Sequence, residues 1–250
     1  MGIGNTEYLN NLTDYSVYEI IHRDKPLPSE NQLNRYMKTP NPILRRDFIK
    51  STALFASGTL GLSLIPNTGI AEVPADDREN VIGPREGFSP HVGTLLSMMT
   101  WMRTVILSPV RGLTVEQLDY VHDEKSNSIG AMLLHLAATE RFYQVHTFEG
   151  KSWGDWSEQD TKRFSVAMSL GEEARKTIKG NNLDFYLSTL EEVRAHTISE
   201  FKKRDDTWLL SVDEKWYWGP TNNYCKWFHV CEHESNHNGQ IKYIKSRLPK

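Results

Sequence analysis

Cysteine is nearly absent. The 250 residues contain two, Cys225 and Cys231, six apart. On a helix they point about 120° away from each other, and neither belongs to a CxxC pair, so a disulfide scaffold is excluded. An excess of positive charge is also missing. The formal net charge is −3 and no stripe of Lys and Arg is concentrated anywhere, which argues against a general nucleic-acid binder. No apolar run reaches the about 20 residues that a membrane helix needs. There is no internal repeat, no low-complexity tract and no confident strand of any length. What remains is a soluble globular chain, 24% charged and 38% hydrophobic, long enough for one large domain or two small ones.

The N-terminal third reads as address rather than fold. Leu44-Arg45-Arg46-Asp47-Phe48-Ile49-Lys50 resembles the twin-arginine signal of bacterial proteins exported already folded. An uncharged, mildly apolar run from Ser51 to Ile65 follows, and Pro66 breaks it. Gly69-Ile70-Ala71 or Val73-Pro74-Ala75 then offers small residues for cleavage. Residues 37–75 are therefore expected to be a signal peptide. Residues 1–36 are expected to be a disordered extension ahead of the natural start at Met37, and 76–87 a linker. The mature domain is 88–250. This places the protein in the periplasm, or outside a cell with a single membrane, with no stable membrane anchor after cleavage.

Within the mature region the apolar spacing is helical. Ser89-Pro90 is a helix start, and Val92, Leu95, Leu96, Met99, Met102, Val105 and Ile106 continue it over 90–107. Thr114 caps a short turn of helix. Ser128 opens a second long helix, 128–147, and short helices are expected near 157–166 and 171–179. Asn182 caps a third, 183–204. An aromatic loop follows, in which Trp208-Leu209-Leu210 and Trp216-Tyr217-Trp218 are candidates to pair as a hairpin. Asn222-Asn223 caps the fourth, 223–247. Four long helices joined by loops predict an all-α four-helix bundle.

The fourth helix carries the chemistry. His229, His233 and His237 recur every four residues, and each step turns about 40° round the helix, so they form one stripe. His233-Glu234-Ser235-Asn236-His237 fits the HExxH pattern of zinc peptidases. That reading fails on context: only 13 residues follow His237, without His, Asp or Glu, and Glu234 is turned about 100° from His233. Bundles build metal sites from facing helices instead. His135, in the apolar run Leu133-Leu134-His135-Leu136, is by itself a core histidine. Beside His233 and His237 it would make the third member of a three-His site with open coordination positions, which mark catalytic rather than structural metals. His229 either lines that pocket as an acid/base or packs in the core. Gln240 and Asn236 are candidates to orient ligands. Cys225 is about 18 Å along the helix from His237, too far to share its metal. Trp208, Trp216 and Trp218 either form a pocket mouth or anchor the loop.

Ser128 to Glu140, with His135 inside it, and Glu232 to Ile241, with HxxxH followed by Gly239-Gln240, together resemble the DinB-like family of metal-binding four-helix bundles. Arg111 to Leu118 is similar to that family's link between its first two helices. The resemblance spans about 88–248. It implies a divalent metal (Zn, Ni, Fe, Co or Mn) on His135, His233 and His237. Characterised members include thiol-dependent transferases and isomerases. The implied function is a metal-dependent hydrolase or transferase acting on a small molecule. The alternative is a non-catalytic exported metal or ligand carrier, with a homodimer as an open assembly state.

Overall fold

The computed structural model describes residues 78–249 except Trp153. The signal peptide expected at 37–75 and the extension expected before it lie outside these residues. The elements are α1 (Pro90–Leu107), a 3-10 turn (Ser108–Val110), α2 (Val115–Asp119), α3 (Ile129–Thr147), α4 (Glu158–Ser169), α5 (Gly171–Thr177), α6 (Leu183–Phe201), α7 (Asp206–Leu210), β1 (Val212–Asp213), β2 (Thr221–Asn222) and α8 (Asn223–Lys245). The domain is all-α: α3 packs on α6, α8 and α4, and α8 packs on α1. Among the described residues no helix is long and apolar enough to cross a membrane.

The helix starts follow local chemistry. Thr114 forms a reciprocal capping box with Gln117, and Ser128, Asn182 and Asn222 accept from the amides of Ala131, Phe185 and Cys225. Each such cap stabilises its helix by about 1 kcal/mol. Ser89 departs from expectation, because its side chain does not bond the first turn of α1. Asp206, at the start of α7, does so: its Oδ1 accepts from Ser89 Oγ at 2.6 Å and from the amides of His91 and Val92 at 3.0 and 3.2 Å. A carboxylate answers the helix dipole better than a hydroxyl, so the more distant residue takes the position. The hairpin also differs. Trp208, Leu209 and Leu210 are helical within α7, capped by Asp205, and the paired residues are Val212 with Asn222 and Asp213 with Thr221.

Close approach of α3 and α6 depends on one missing side chain. A Cβ built on Gly130 would lie 2.6 Å from the Tyr186 hydroxyl and 2.7 Å from its Cζ. Tyr186 is fully buried, so its ring has no room to retreat. Gly130→Ala is expected to destabilise the domain by about 1–3 kcal/mol through overpacking, outweighing the helix propensity gained, as read by urea unfolding.

The apolar interior is two clusters, not one. The first holds Ile106 of α1, Val110 of the 3-10 turn, Ile129, Met132, Leu133 and Leu136 to Ala138 of α3, Leu190 and Val193 of α6, and Ile241 and Ile244 of α8. The second holds Val92, Leu95, Leu96 and Met99, Phe142 and Tyr143, Phe201, and Trp227, Val230 and Cys231. Between them, each long helix contributes one charged residue: Arg103, Glu140, Arg194 and Glu234, all buried. Arg103 Nη2 donates to Glu140 Oε2 at 2.8 Å and to Glu234 Oε1 at 2.6 Å. Arg194 Nε donates to Glu140 Oε1 at 2.7 Å, and its Nη2 to Glu234 Oε1 at 3.0 Å. The free guanidinium nitrogens reach backbone carbonyls of Leu190 and Met99, and Thr197 Oγ1 donates to Glu140 Oε1 at 2.6 Å. Two positive and two negative groups leave the layer neutral. Burial opposes ionisation of Glu140, yet Arg194 and Arg103 outweigh it and hold its carboxyl below the usual range.

Candidate metal centre

The three histidines converge. His135 Nε2 lies 2.8 Å from His233 Nε2, which lies 3.2 Å from His237 Nε2, and one ligand atom of each residue falls within 4.8 Å of the others. Helix α3 supplies the first and α8 the other two, one turn apart.

The other ring nitrogens fix the tautomers. His135 Nδ1 is 2.9 Å from the Ala167 carbonyl. A carbonyl only accepts, so Nδ1 carries the proton and Nε2 keeps its lone pair. Ala167 lies in the last turn of α4, and its carbonyl also accepts from the Leu170 amide at 3.3 Å. The chain then turns sharply at Leu170, whose φ of 53° is the sole positive value among described non-glycine residues. Arg141 of α3 grips Asp160 of α4 through two bonds of 2.8 and 2.9 Å, tying α4 to the helix that carries His135. At the other end, His237 Nδ1 lies 3.0 Å from Gln240 Oε1 and donates to it, again leaving Nε2 bare. Asn236, the other amide considered, is exposed.

Two lone pairs thus face a third nitrogen that can share a proton with only one of them at a time. Such crowding is unfavourable between neutral rings and favourable round a cation. The donor set fits a divalent metal with N ligands, each oriented through its second ring nitrogen.

Charge state agrees. Burial pushes His135 down to about 4, against the opposing bonds to Ala167 and Met168. It pushes His237 down to about 3, helped by neighbouring His135, and His233 well below its ordinary value. All three are neutral near pH 7, the form that ligates. The folded values lie below the ordinary 6.5, so the unfolded chain binds more protons between. Stability of the metal-free domain is expected to be full above about pH 6.5 and to fall through the window down to about 3. Melting temperature against pH in the presence of a chelator checks this; a flat profile would contradict it.

His229 stands beside the cluster, not in it. Its ring centre is 5.5 Å from that of His233 and 5.1 Å from that of Trp218, and its Nδ1 lies 2.8 Å from Glu232 Oε1. The aromatic loop divides the two roles considered for it. Trp216 is buried, 6.0 Å from Tyr143 with Lys226 over its ring, and anchors the loop. Trp218 and Tyr217 are half exposed at the approach to His229. Glu234 does point away from the histidines, into the charge layer. The cysteines are free, Cys225 exposed and Cys231 buried. The remaining described histidines lie elsewhere: His146 by Asp213 and Trp216, His122 edge-on to Tyr243, His196 edge-on to Phe148, and His91 in the first turn of α1.

The family model described as mycothiol-S-transferase matches residues 94–248, more than half of the chain. The chain belongs to the mycothiol-S-transferase family. That family is DinB-like, and its matched span contains all three histidines, the charge layer and the loop carrying Trp218. Among solved structures, "Crystal structure of the conserved protein of locus from Enterococcus faecalis" is similar, with a TM-score of 0.48 and 16% identity, covering 60% of this chain and 92% of that one. No curated protein matches.

Sequence reasoning missed two parts of the centre. The Ala167 carbonyl is backbone and leaves no side-chain signal. Arg103, Glu140 and Arg194 did leave one: each interrupts an apolar stripe at a core position.

Proposed function

We propose that this member of the mycothiol-S-transferase family is a metal-dependent transferase acting on a small molecule, with hydrolysis as the second reading. The observation that carries it is the meeting of three Nε2 atoms from His135, His233 and His237, two with their lone pairs fixed. A divalent ion held there would supply a Lewis acid that lowers the pKa of a thiol or water at an open position. The family description favours a thiol as the nucleophile. In the transfer, the thiolate sulfur forms a bond to an electrophilic carbon of the acceptor, and the leaving group departs with the electron pair.

The chain's own residues prepare this step. Ala167 and Gln240 keep Nδ1 of His135 and His237 protonated. Glu232 accepts from His229 Nδ1, so His229 Nε2 is the lone-pair nitrogen, suited to take the proton of the incoming nucleophile. Trp218, its ring centre 5.1 Å from that of His229, partly covers that ring. The signal peptide expected at residues 37–75 would place the protein outside the cytoplasm, where low-molecular-weight thiols are scarce, and this is what keeps hydrolysis, with water as the nucleophile, as the second reading.

The test strips the purified protein with a chelator and reloads it with Zn, Ni, Co, Mn or Fe(II). About one equivalent is expected to bind, and none in His135→Ala. Full metal in that variant would refute the ligand set. The loaded protein is then offered thiol plus electrophile, and separately hydrolysable esters and amides. Turnover in neither leaves the non-catalytic metal or ligand carrier as the better reading.

A further inference from the structure

The charge layer sits where each helix passes from one apolar cluster to the other. On α1 it falls between Met99 and Ile106, on α3 between Ala138 and Phe142, on α6 between Val193 and Phe201, and on α8 between Cys231 and Ile241. Apolar packing is non-directional and tolerates small rotations of a helix. A guanidinium fork gripping a carboxylate does not. Both helices that supply the histidines carry a carboxylate of the layer: Glu140 five residues beyond His135, and Glu234 directly between His233 and His237 in sequence. Glu234 lies about 100° round α8 from His233 and about 60° from His237, so it fixes the rotation of the helix without occupying the ligand face.

The magnitudes make that rotation matter. An imidazole nitrogen extends about 5–6 Å from the helix axis, so turning α8 by about 20° moves it by about 2 Å. Metal–ligand distances tolerate about 0.2 Å. Neither apolar cluster takes a residue of α8 between Cys231 and Ile241, and ion pairs of 2.6 to 3.1 Å lie at this level.

We infer that Arg103, Glu140, Arg194 and Glu234 are positioning residues that set the rotation of α8 against α3, and so hold His233 and His237 in register with His135 for the metal. This rests on the three-His reading. It adds that metal affinity is controlled from α1 and α6, two helices that supply no ligand.

The test uses the full chain with Co(II), whose visible absorption reports ligand geometry. Glu234→Gln is expected to keep its helical circular dichroism, bind Co(II) about 10–100-fold more weakly, and show a changed spectrum. Phe201→Ala, in the second apolar cluster and outside the layer, is expected to lose thermal stability while keeping wild-type affinity and spectrum. Should Glu234→Gln not fold, the double variant Arg103→Met/Glu234→Gln replaces it, since it leaves Arg194 and Glu140 as a balanced pair. Wild-type affinity and spectrum in whichever variant folds overturns the inference, as does an equal loss in Phe201→Ala. Failure of the wild type to bind Co(II) overturns the three-His reading itself, which is a different result.

Discussion

Glu140→Ala is expected to lower the unfolding free energy by about 3–5 kcal/mol. This carboxylate is fully buried and receives both arginines of the layer as well as Thr197. Removing it leaves Arg103 and Arg194 facing Glu234 alone, with one positive charge uncompensated in a site closed to water. Breaking a buried pair costs far more than an exposed one, because the surviving ion has neither partner nor solvent. A domain of this size has about 5–15 kcal/mol to lose, so the variant is expected to be marginal at 37 °C. Arg163 and Glu192 make the comparison: their pair is bidentate at 2.7 Å in both bonds but lies on the surface. Glu192→Ala is expected to change stability by no more than about 1 kcal/mol. Urea unfolding of both variants checks the contrast. Equal small losses would mean that the layer is hydrated and that its ion pairs act as surface pairs.

The second large effect is ligand-linked stability. With free metal at 100 times its dissociation constant, the folded domain is expected to gain about 2.7 kcal/mol, several degrees in melting temperature. His237→Ala is expected to lose this increment, because two nitrogens from two helices cannot replace the triad. Calorimetry with and without metal checks it. A gain retained in His237→Ala would place the metal elsewhere. Acid should abolish the same increment, since protons compete for the three nitrogens.

Much of this was legible from residues. Helix periodicity and caps located the four long helices to within a few residues, because apolar spacing and N-cap chemistry are local. The Asn222 cap and the histidine spacing of four placed His233 and His237 on one face without any structure. His135 needed more: its pairing with them depends on how α3 and α8 cross, which the facing-helix argument offered as one of two readings and the DinB-like resemblance favoured. Ser89 misled because a better acceptor, Asp206, arrives from 117 residues away. Trp208 to Leu210 misled because three apolar residues read equally well as strand or helix, and the Asp205 cap decides the matter. The charge layer was written as four charged residues on apolar stripes. Taken one at a time these look like breaks in a pattern, and only their meeting explains them.

The Asp206 cap ties the beginning of the domain to its last third. The amides of His91 and Val92 meet their protein acceptor only once α7 has docked, so this cap cannot form while the ribosome still holds the chain short of residue 206. The contact closes a long loop, which carries an entropic cost. Amide exchange at His91 and Val92 thus becomes a clock for the whole domain: protection there signals that both ends of the fold have already met.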